Sequence, residues 1–216
     1  RSISFRGGLG NDEFVTRADL PASLYGQEGN DTLIGGQAAD LVVGGDGNDV
    51  VLTLVSALVV RNTSSSTNIG SLRSALAAAA ASPGPDTITF DSSLNGQAIL
   101  LTNQIEIADT NGVTIDGTAM TSGFAFSGLN VSRIFQNLTG SIATLKGFGF
   151  IGGNGTGTNG FNNGGGAIVN NGTMILSRCT FYNNNVSLTG GAIYNDSVLS
   201  LTNCTFYGNT ASALGG

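Results

Sequence analysis

Short runs of alternating apolar and polar residues recur along the chain, as in Val198-Leu199-Ser200-Leu201 and Cys204-Thr205-Phe206, with Asn, Gly and Ser between them. This is the pattern of half-buried strands joined by turns. Residues 165–189 and 190–214 repeat one another over 25 positions, both opening on Gly-Gly-Ala-Ile and both carrying Cys-Thr-Phe-Tyr. A period in the twenties with several strands per copy predicts one turn of a parallel β-helix per repeat, with rungs ~4.8 Å apart. Equivalent residues then stack in columns: Ile168 on Ile193, Phe181 on Phe206, and Ile175 near Leu199 or Leu201. A diverged rung at residues 144–150 sets Phe150 beneath the two phenylalanines and Phe148 beneath Cys179 and Cys204. Residues 86–90, 98–101, 105–107 and 113–116 read as earlier strands. The one helical stretch is residues 71–82, with Ser71 as N-cap, an alanine-rich body and a Ser-Pro-Gly-Pro stop; laid across the first rung, it would cap the solenoid.

The start of the chain has a shorter period. Gly7–Val15, Gly26–Ile34, Gly35–Val43 and Gly44–Leu52 follow a nine-residue pattern of glycine, glycine, x, glycine, x, aspartate, x, apolar, x. In this pattern six residues make a turn and three a strand, and two units make one coil of a β-roll around calcium. Turns two units apart stack, so Asp31 is expected over Asp49. Aspartate supplies hard oxygen and glycine permits close backbone approach. The candidate ligands are Gly10, Asn11, Asp12, Gly29, Asn30, Asp31, Asp40, Asp46, Gly47, Asn48 and Asp49. Gln37-Ala38-Ala39-Asp40 spoils one turn, and residues 16–25 interrupt the run after the first copy.

Of the 14 acidic residues, 8 lie in residues 1–52, so the net charge of -6 follows the nonapeptides. The remaining 6 acids face 5 bases, with no basic patch to hold nucleic acid. No apolar run approaches the ~20 residues of a membrane span. The chain opens on Arg1 and closes on Gly215-Gly216, the first residues of another repeat, and reads as part of a longer polypeptide. Weak carboxylate sites need millimolar calcium, which points outside the cell. The predicted organisation is a β-roll at 1–52, a linker or first strand at 53–70, and a capped β-helix at 71–216.

The chain has no histidine, which removes Ser-His-Asp and Cys-His catalysis together with histidine metal sites. Carboxylate chemistry on a β-helix, as in a polysaccharide lyase or glycoside hydrolase, would draw on Asp91, Asp109, Asp116, Arg133, Lys146 and Arg178. These lie on different rungs, and exposed turn or strand positions account for each, so the chain is read as non-enzymatic. Gly147–Gly152 matches a dinucleotide fingerprint by letter but runs into a glycine-rich turn instead of a helix. Cys179 and Cys204 replace phenylalanine in a core column, which favours buried thiols over ligands. A disulfide is disfavoured because in-register parallel strands aim the Cβ vectors poorly. Asn-x-Ser/Thr triplets at Asn62, Asn137, Asn171, Asn185, Asn195 and Asn203 read as asparagine ladders serving the turns before they read as glycosylation sites.

The nonapeptides resemble the repeats-in-toxin (RTX) calcium-binding family. Residues 70–76, 85–91 and 113–117 look like the CSLREA-type head module of bacterial right-handed β-helix surface proteins. Gly165–Ile168 with Phe181–Asn184, and Gly190–Ile193 with Phe206–Asn209, are similar to polymorphic outer-membrane-protein repeats. These resemblances imply an all-β chain: a calcium β-roll followed by a right-handed, pectate-lyase-like parallel β-helix with a short capping helix. They imply a secreted or cell-surface adhesin or fibre subunit that binds Ca2+. Its expected partners are further copies packed end to end, other surface molecules or extracellular polysaccharide.

Overall fold

The computed structural model describes residues 3–16, 22–35, 41–52, 58–155 and 164–212. The chain divides into two compact units, Arg1–Ala57 and Leu58–Gly216.

In the first unit, Ile3–Leu9, Ala22–Glu28 and Leu41–Asp46 form one parallel sheet, and Glu13–Val15, Thr32–Ile34 and Val50–Leu52 form another. Phe5 pairs with Leu24 and Leu24 with Val42, so the coil repeat is 19 residues and then 18. Two nonapeptides therefore make one coil, with one extra residue in the interrupted stretch. The first part of each motif is not wholly turn: the sheet extends through its opening glycines to Leu9, Glu28 and Asp46. Inside, Ala22, Leu24 and Leu33 are buried against Ile3, Phe5, Phe14 and Val42. The Phe5 and Phe14 rings stack at 4.5 Å.

The second unit is a parallel solenoid of three main sheets. The first contains Val59–Val60, Asp86–Phe90, Val113–Asp116, Ile142–Lys146, Thr173–Ser177 and Val198–Thr202. The second contains Ala98–Leu100, Ala125–Ser127, Gly149–Ile151, Thr180–Tyr182 and Thr205–Tyr207, and the third Ile105–Ile107, Phe135–Asn137, Ile168–Asn170 and Ile193–Asn195. Each sheet takes one strand per coil. The predicted stack of Phe150, Phe181 and Phe206 is present, with rings 4.5 and 4.8 Å apart and each pair within 5° of parallel. It continues down through Phe126 and Ile99. Phe181 and Phe206 are 25 residues apart, Phe150 and Phe181 31, and Phe126 and Phe150 24, so the coil length varies along the column. Gly147–Gly152 holds the strand Gly149–Ile151 with Phe148 and Phe150 buried, as the core reading requires.

One column differs from expectation. Ile175 pairs with Ser200 and faces outward, 41% exposed, while Met174 and Leu176 fill the interior against Leu199 and Leu201. The expected contact of Ile175 with Leu199 or Leu201 is one residue out of step, which on a strand reverses the face.

Turn corners repeat as strictly as the columns. Gly147, Arg178 and Asn203 hold the same corner on successive coils, at φ 79, 55 and 53°. Asparagine ladders run inside: Asn137 Nδ2 donates to Asn170 Oδ1 at 2.7 Å, and Asn170 Nδ2 to Asn195 Oδ1 at 2.7 Å. The same nitrogens reach the carbonyls of Thr173 and Val198. A second ladder joins Asn184 and Asn209. Asn137 is fully buried in its ladder and closed to glycosylation.

The helix Leu72–Ala81 caps the first coil. The Ser71 side chain accepts the Ser74 amide, and Leu72, Ala75, Leu76 and Ala79 are buried in one cluster with Val60, Ile88 and Phe90. Each of the two leucines contributes roughly 1.5–3 kcal/mol by leaving water. No helix among the described residues is long and apolar enough to cross a membrane.

Phe181→Ala should destabilise the second unit by about 3–5 kcal/mol in denaturant unfolding. Ile175→Ser, on the outer face, should stay within ~0.5 kcal/mol of the parent.

Candidate metal centre

Three turns of the first unit stack on one side: residues 7–12, 26–31 and 44–49. The aspartate closing each turn lies above its predecessor, as predicted for Asp31 and Asp49. Asp31 Oδ1 accepts the Asp12 amide at 2.8 Å, and Asp49 Oδ1 accepts the Asp31 amide at 2.9 Å. One carboxylate oxygen of Asp31 and one of Asp49 thus tie coil to coil. Oδ2 of Asp12 and of Asp31 is buried without a hydrogen-bond partner, and Asp31 as a whole is 1% exposed.

The space beside those oxygens is lined by backbone. A β-carbon on Gly7 would run into Asp12 Oδ2 and come within 2.7 Å of the Gly26 carbonyl oxygen. One on Gly26 would run into Asp31 Oδ2 and the Gly44 carbonyl oxygen, and one on Gly44 into Asp49 Oδ2. Each of the two gaps between turns therefore brings a carboxylate oxygen and a carbonyl oxygen together where only a hydrogen-bearing Cα fits. Among the described residues no three acidic or thiol side chains gather at one point. A cation held here would take one aspartate per turn and backbone carbonyls, with water completing the roughly six to eight oxygens that calcium prefers. It would also oppose the repulsion within the aspartate column, roughly 3 kcal/mol per ionised neighbour pair at ~4.8 Å and an effective dielectric of ~20. The donor set is all oxygen and suits a hard cation.

The remaining expected ligands divide by position. Asn11 Oδ1 accepts the Asn30 amide and Asn30 Oδ1 the Asn48 amide, both at 2.8 Å, so these side chains form an exposed strut. Gly10, Gly29 and Gly47 take φ of 103, 130 and 136°, and a β-carbon on Gly29 or Gly47 would strike the carbonyl of the turn before. Asp46 has an exposed side chain, while its carbonyl accepts the Gly29 amide. Asp40 lies outside the described residues. Gly7, Gly26 and Gly44, which form the gaps, were not among the candidates. Their signal was the first glycine of each copy, the one nearest the carboxylate across the turn.

The candidates for carbohydrate chemistry are mostly kept apart. Asp116 and Lys146 are adjacent-coil partners with an ion pair at 3.7 Å. Burial works against the Asp116 charge, but the Thr118 hydroxyl and amide and the Lys146 ammonium outweigh it and hold the carboxyl below its usual range. Asp91 caps a short turn through the Ser93 amide, and Arg178 occupies an exposed corner. Two candidates correct the expectation of exposed positions. Asp109 is buried, with Oδ1 accepting the Asn111 and Gly112 amides. Arg133 is 2% exposed and donates to the carbonyls of Gly155, Gly164 and Gly165 and to Gln104 Oε1. Cys179 and Cys204 are free thiols, and burial pushes the Cys179 thiol up to about 11.

The RTX calcium-binding nonapeptide repeat (4 copies) is the family whose model matches, over residues 23–51. The match spans the second and third stacked turns and stops short of Gly7–Val15, which the hydrogen bond from the Asp12 amide nonetheless joins to the same column. No curated protein and no solved structure matches the chain.

Gly26→Ala and Asp31→Asn should each abolish any gain in stability that calcium gives the first unit, followed by thermal unfolding with calcium and with EGTA. Asn30→Ala, which removes only the strut, should lower stability by about 1 kcal/mol in both conditions alike. At pH 8 a water-soluble disulfide reagent should label Cys204 and spare Cys179 until the protein unfolds. A raised thiol pKa favours the folded state below the free-thiol value, and this contribution fades as pH climbs through about 11.

Proposed function

We propose that this chain is a secreted or cell-surface, calcium-binding structural protein whose β-solenoid serves adhesion or fibre assembly and not catalysis. The observation that carries the calcium reading is the pair of buried, unpartnered Asp12 and Asp31 oxygens facing glycine-lined gaps within a segment that matches RTX repeats. A water-filled surface turn would leave such oxygens solvated; Asp109 Oδ2 in the second unit is also buried without a partner, and it is the glycine gaps and the stacked aspartates that set Asp12 and Asp31 apart.

The second unit is proposed to be a right-handed, pectate-lyase-like β-helix related to CSLREA-type and polymorphic outer-membrane-protein modules. Its three parallel sheets and helix-capped first coil support this reading. The mechanical role is favoured over a lyase or hydrolase because Asp116 and Lys146, the pair of candidates that meet, are bound to each other. Export fits a protein whose sites fill only at extracellular calcium, on the order of 10⁻⁴–10⁻³ M for modules of this kind.

Calorimetric titration of the whole chain should give an apparent Kd in the submillimolar to millimolar range. At ten times that concentration, unfolding of the first unit should be displaced by about 1.4 kcal/mol. Magnesium, which demands a tighter octahedron, should not substitute. Identical unfolding curves in calcium and in chelator would remove calcium from the account.

A further inference from the structure

A cleft of about 460 Å³ opens between the capping helix and the first strand of the third sheet, Ile105–Ile107. Leu76 and Ile105 give it an apolar floor, and Ala77 borders it from the helix. Arg73 Nη2 ties the start of the helix to the Asn103 carbonyl at 2.7 Å, and Asn111 Nδ2 reaches the Ser82 carbonyl, just past the helix end, at 3.2 Å. The helix and residues 103–111 therefore run side by side in the same direction. Arg73 stands toward one end of the cleft and Asp109 toward the other. From Arg73 to Ala80 the cleft is about 10 Å long, at ~1.5 Å of rise per helical residue.

Three unmet features converge on this space. The first is main chain: the Ile105 amide donates to the Ile134 carbonyl and the Ile107 carbonyl accepts the Leu138 amide, so alternation turns the N–H and C=O of Glu106 to the opposite edge, toward the cleft. No hydrogen bond from the described residues reaches them. The second is Asp109, 2% exposed, whose Oδ1 is spent on the Asn111 and Gly112 amides while Oδ2 is buried without a partner. The third is Arg73, which donates to the Ser65 and Asn103 carbonyls through Nε and Nη2 but has no carboxylate of the described residues within ion-pair distance. Burial lowers the Arg73 pKa, and the field of Glu106 opposes this without contact.

We infer that this cleft binds a short extended peptide with ionised ends, about three residues long, laid antiparallel to Ile105–Ile107. Three extended residues span about 10 Å, which matches the helix wall. In an antiparallel arrangement the central residue of the peptide exchanges both main-chain hydrogen bonds with Glu106. The same direction brings the peptide carboxylate to Arg73 and its amino end to Asp109, which gives the buried Oδ2 the cationic donor it lacks. A peptide running the other way would set like charges together at both ends. The cleft is built from the second unit alone, so its occupancy does not depend on calcium.

Calorimetric titration of the full chain with trialanine, in calcium and in EGTA, tests this. Saturable one-to-one binding of equal strength in both buffers is expected. Blocking the peptide as its N-acetyl amide, or N-methylating its central residue, should each weaken binding about 10-fold or more. Asp109→Asn keeps Oδ1 for the turn amides and removes the charge, and Ala77→Phe fills the cleft from an exposed helix position. Each should weaken binding by a similar factor while the thermal unfolding of the second unit is retained. Absence of saturable binding at millimolar trialanine, equal binding of the blocked or N-methylated peptide, or indifference to Ala77→Phe or Asp109→Asn would each overturn the inference. Binding seen in calcium alone would overturn it too, by moving the peptide to the first unit.

Discussion

A polar group carried inside a stacked coil must find its partner on the next coil, because water does not reach it and its own coil is already extended. Both units are built on this constraint. In the first, Asp31 and Asp49 each give one oxygen to an amide of the coil before. In the second, Asn137 and Asn170 give amide hydrogens to the coil after them, and Asn184 bridges the coils on either side of it. An unmet buried partner is worth about 1–3 kcal/mol, so such ladders fix register more sharply than apolar packing alone, which tolerates exchange of similar shapes.

The same constraint separates structural polar groups from ones awaiting a ligand. Arg133 is a buried cation with no acid beside it, and burial lowers its pKa, yet four acceptors on neighbouring turns satisfy its guanidinium. It is a finished network that joins Gly155 to Gly164 and Gly165. Asp31 is the reverse, with Oδ1 committed to the ladder and Oδ2 unmet, and Asp12 Oδ2 in the turn before it is unmet as well. The difference lies in the acceptor-only chemistry of a carboxylate. Stacked turns offer it carbonyls, which are acceptors as well, and a cation reconciles the two.

Column positions were legible where sequence repeats were exact. The Phe181 and Phe206 stack, the strands at residues 86–90, 105–107 and 113–116, the capping helix and the Asp31–Asp49 stack all follow from pattern alone. Ala125–Ser127 and Phe135–Asn137 escaped because coils of unequal length hide the register there, and three-residue strands carry little alternation. Ile175 was assigned to the wrong face for a similar reason, since in Met174-Ile175-Leu176 three apolar residues in a row do not say which two point inward. Arg133 and Asp109 were read as exposed because charge predicts exposure on average. What buries them is a set of carbonyls and amides contributed by turns, and backbone groups leave no mark in the sequence.

The contrast in core size fits the metal-ready column of the first unit. Among the described residues its interior holds three buried apolar residues, Ala22, Leu24 and Leu33, against thirty in the second unit's cluster. A core that small leaves the first unit more dependent on its polar column than the second is. Small folds in this position are usually completed by a disulfide or a metal. The first unit contains no cysteine, but it brings the unpartnered Oδ2 of Asp12 and of Asp31 to glycine gaps, and the free energy of binding a cation there becomes free energy of folding. The second unit, with its aromatic column and asparagine ladders, has no such deficit, so calcium should govern the order of the first unit and leave the stability of the second untouched.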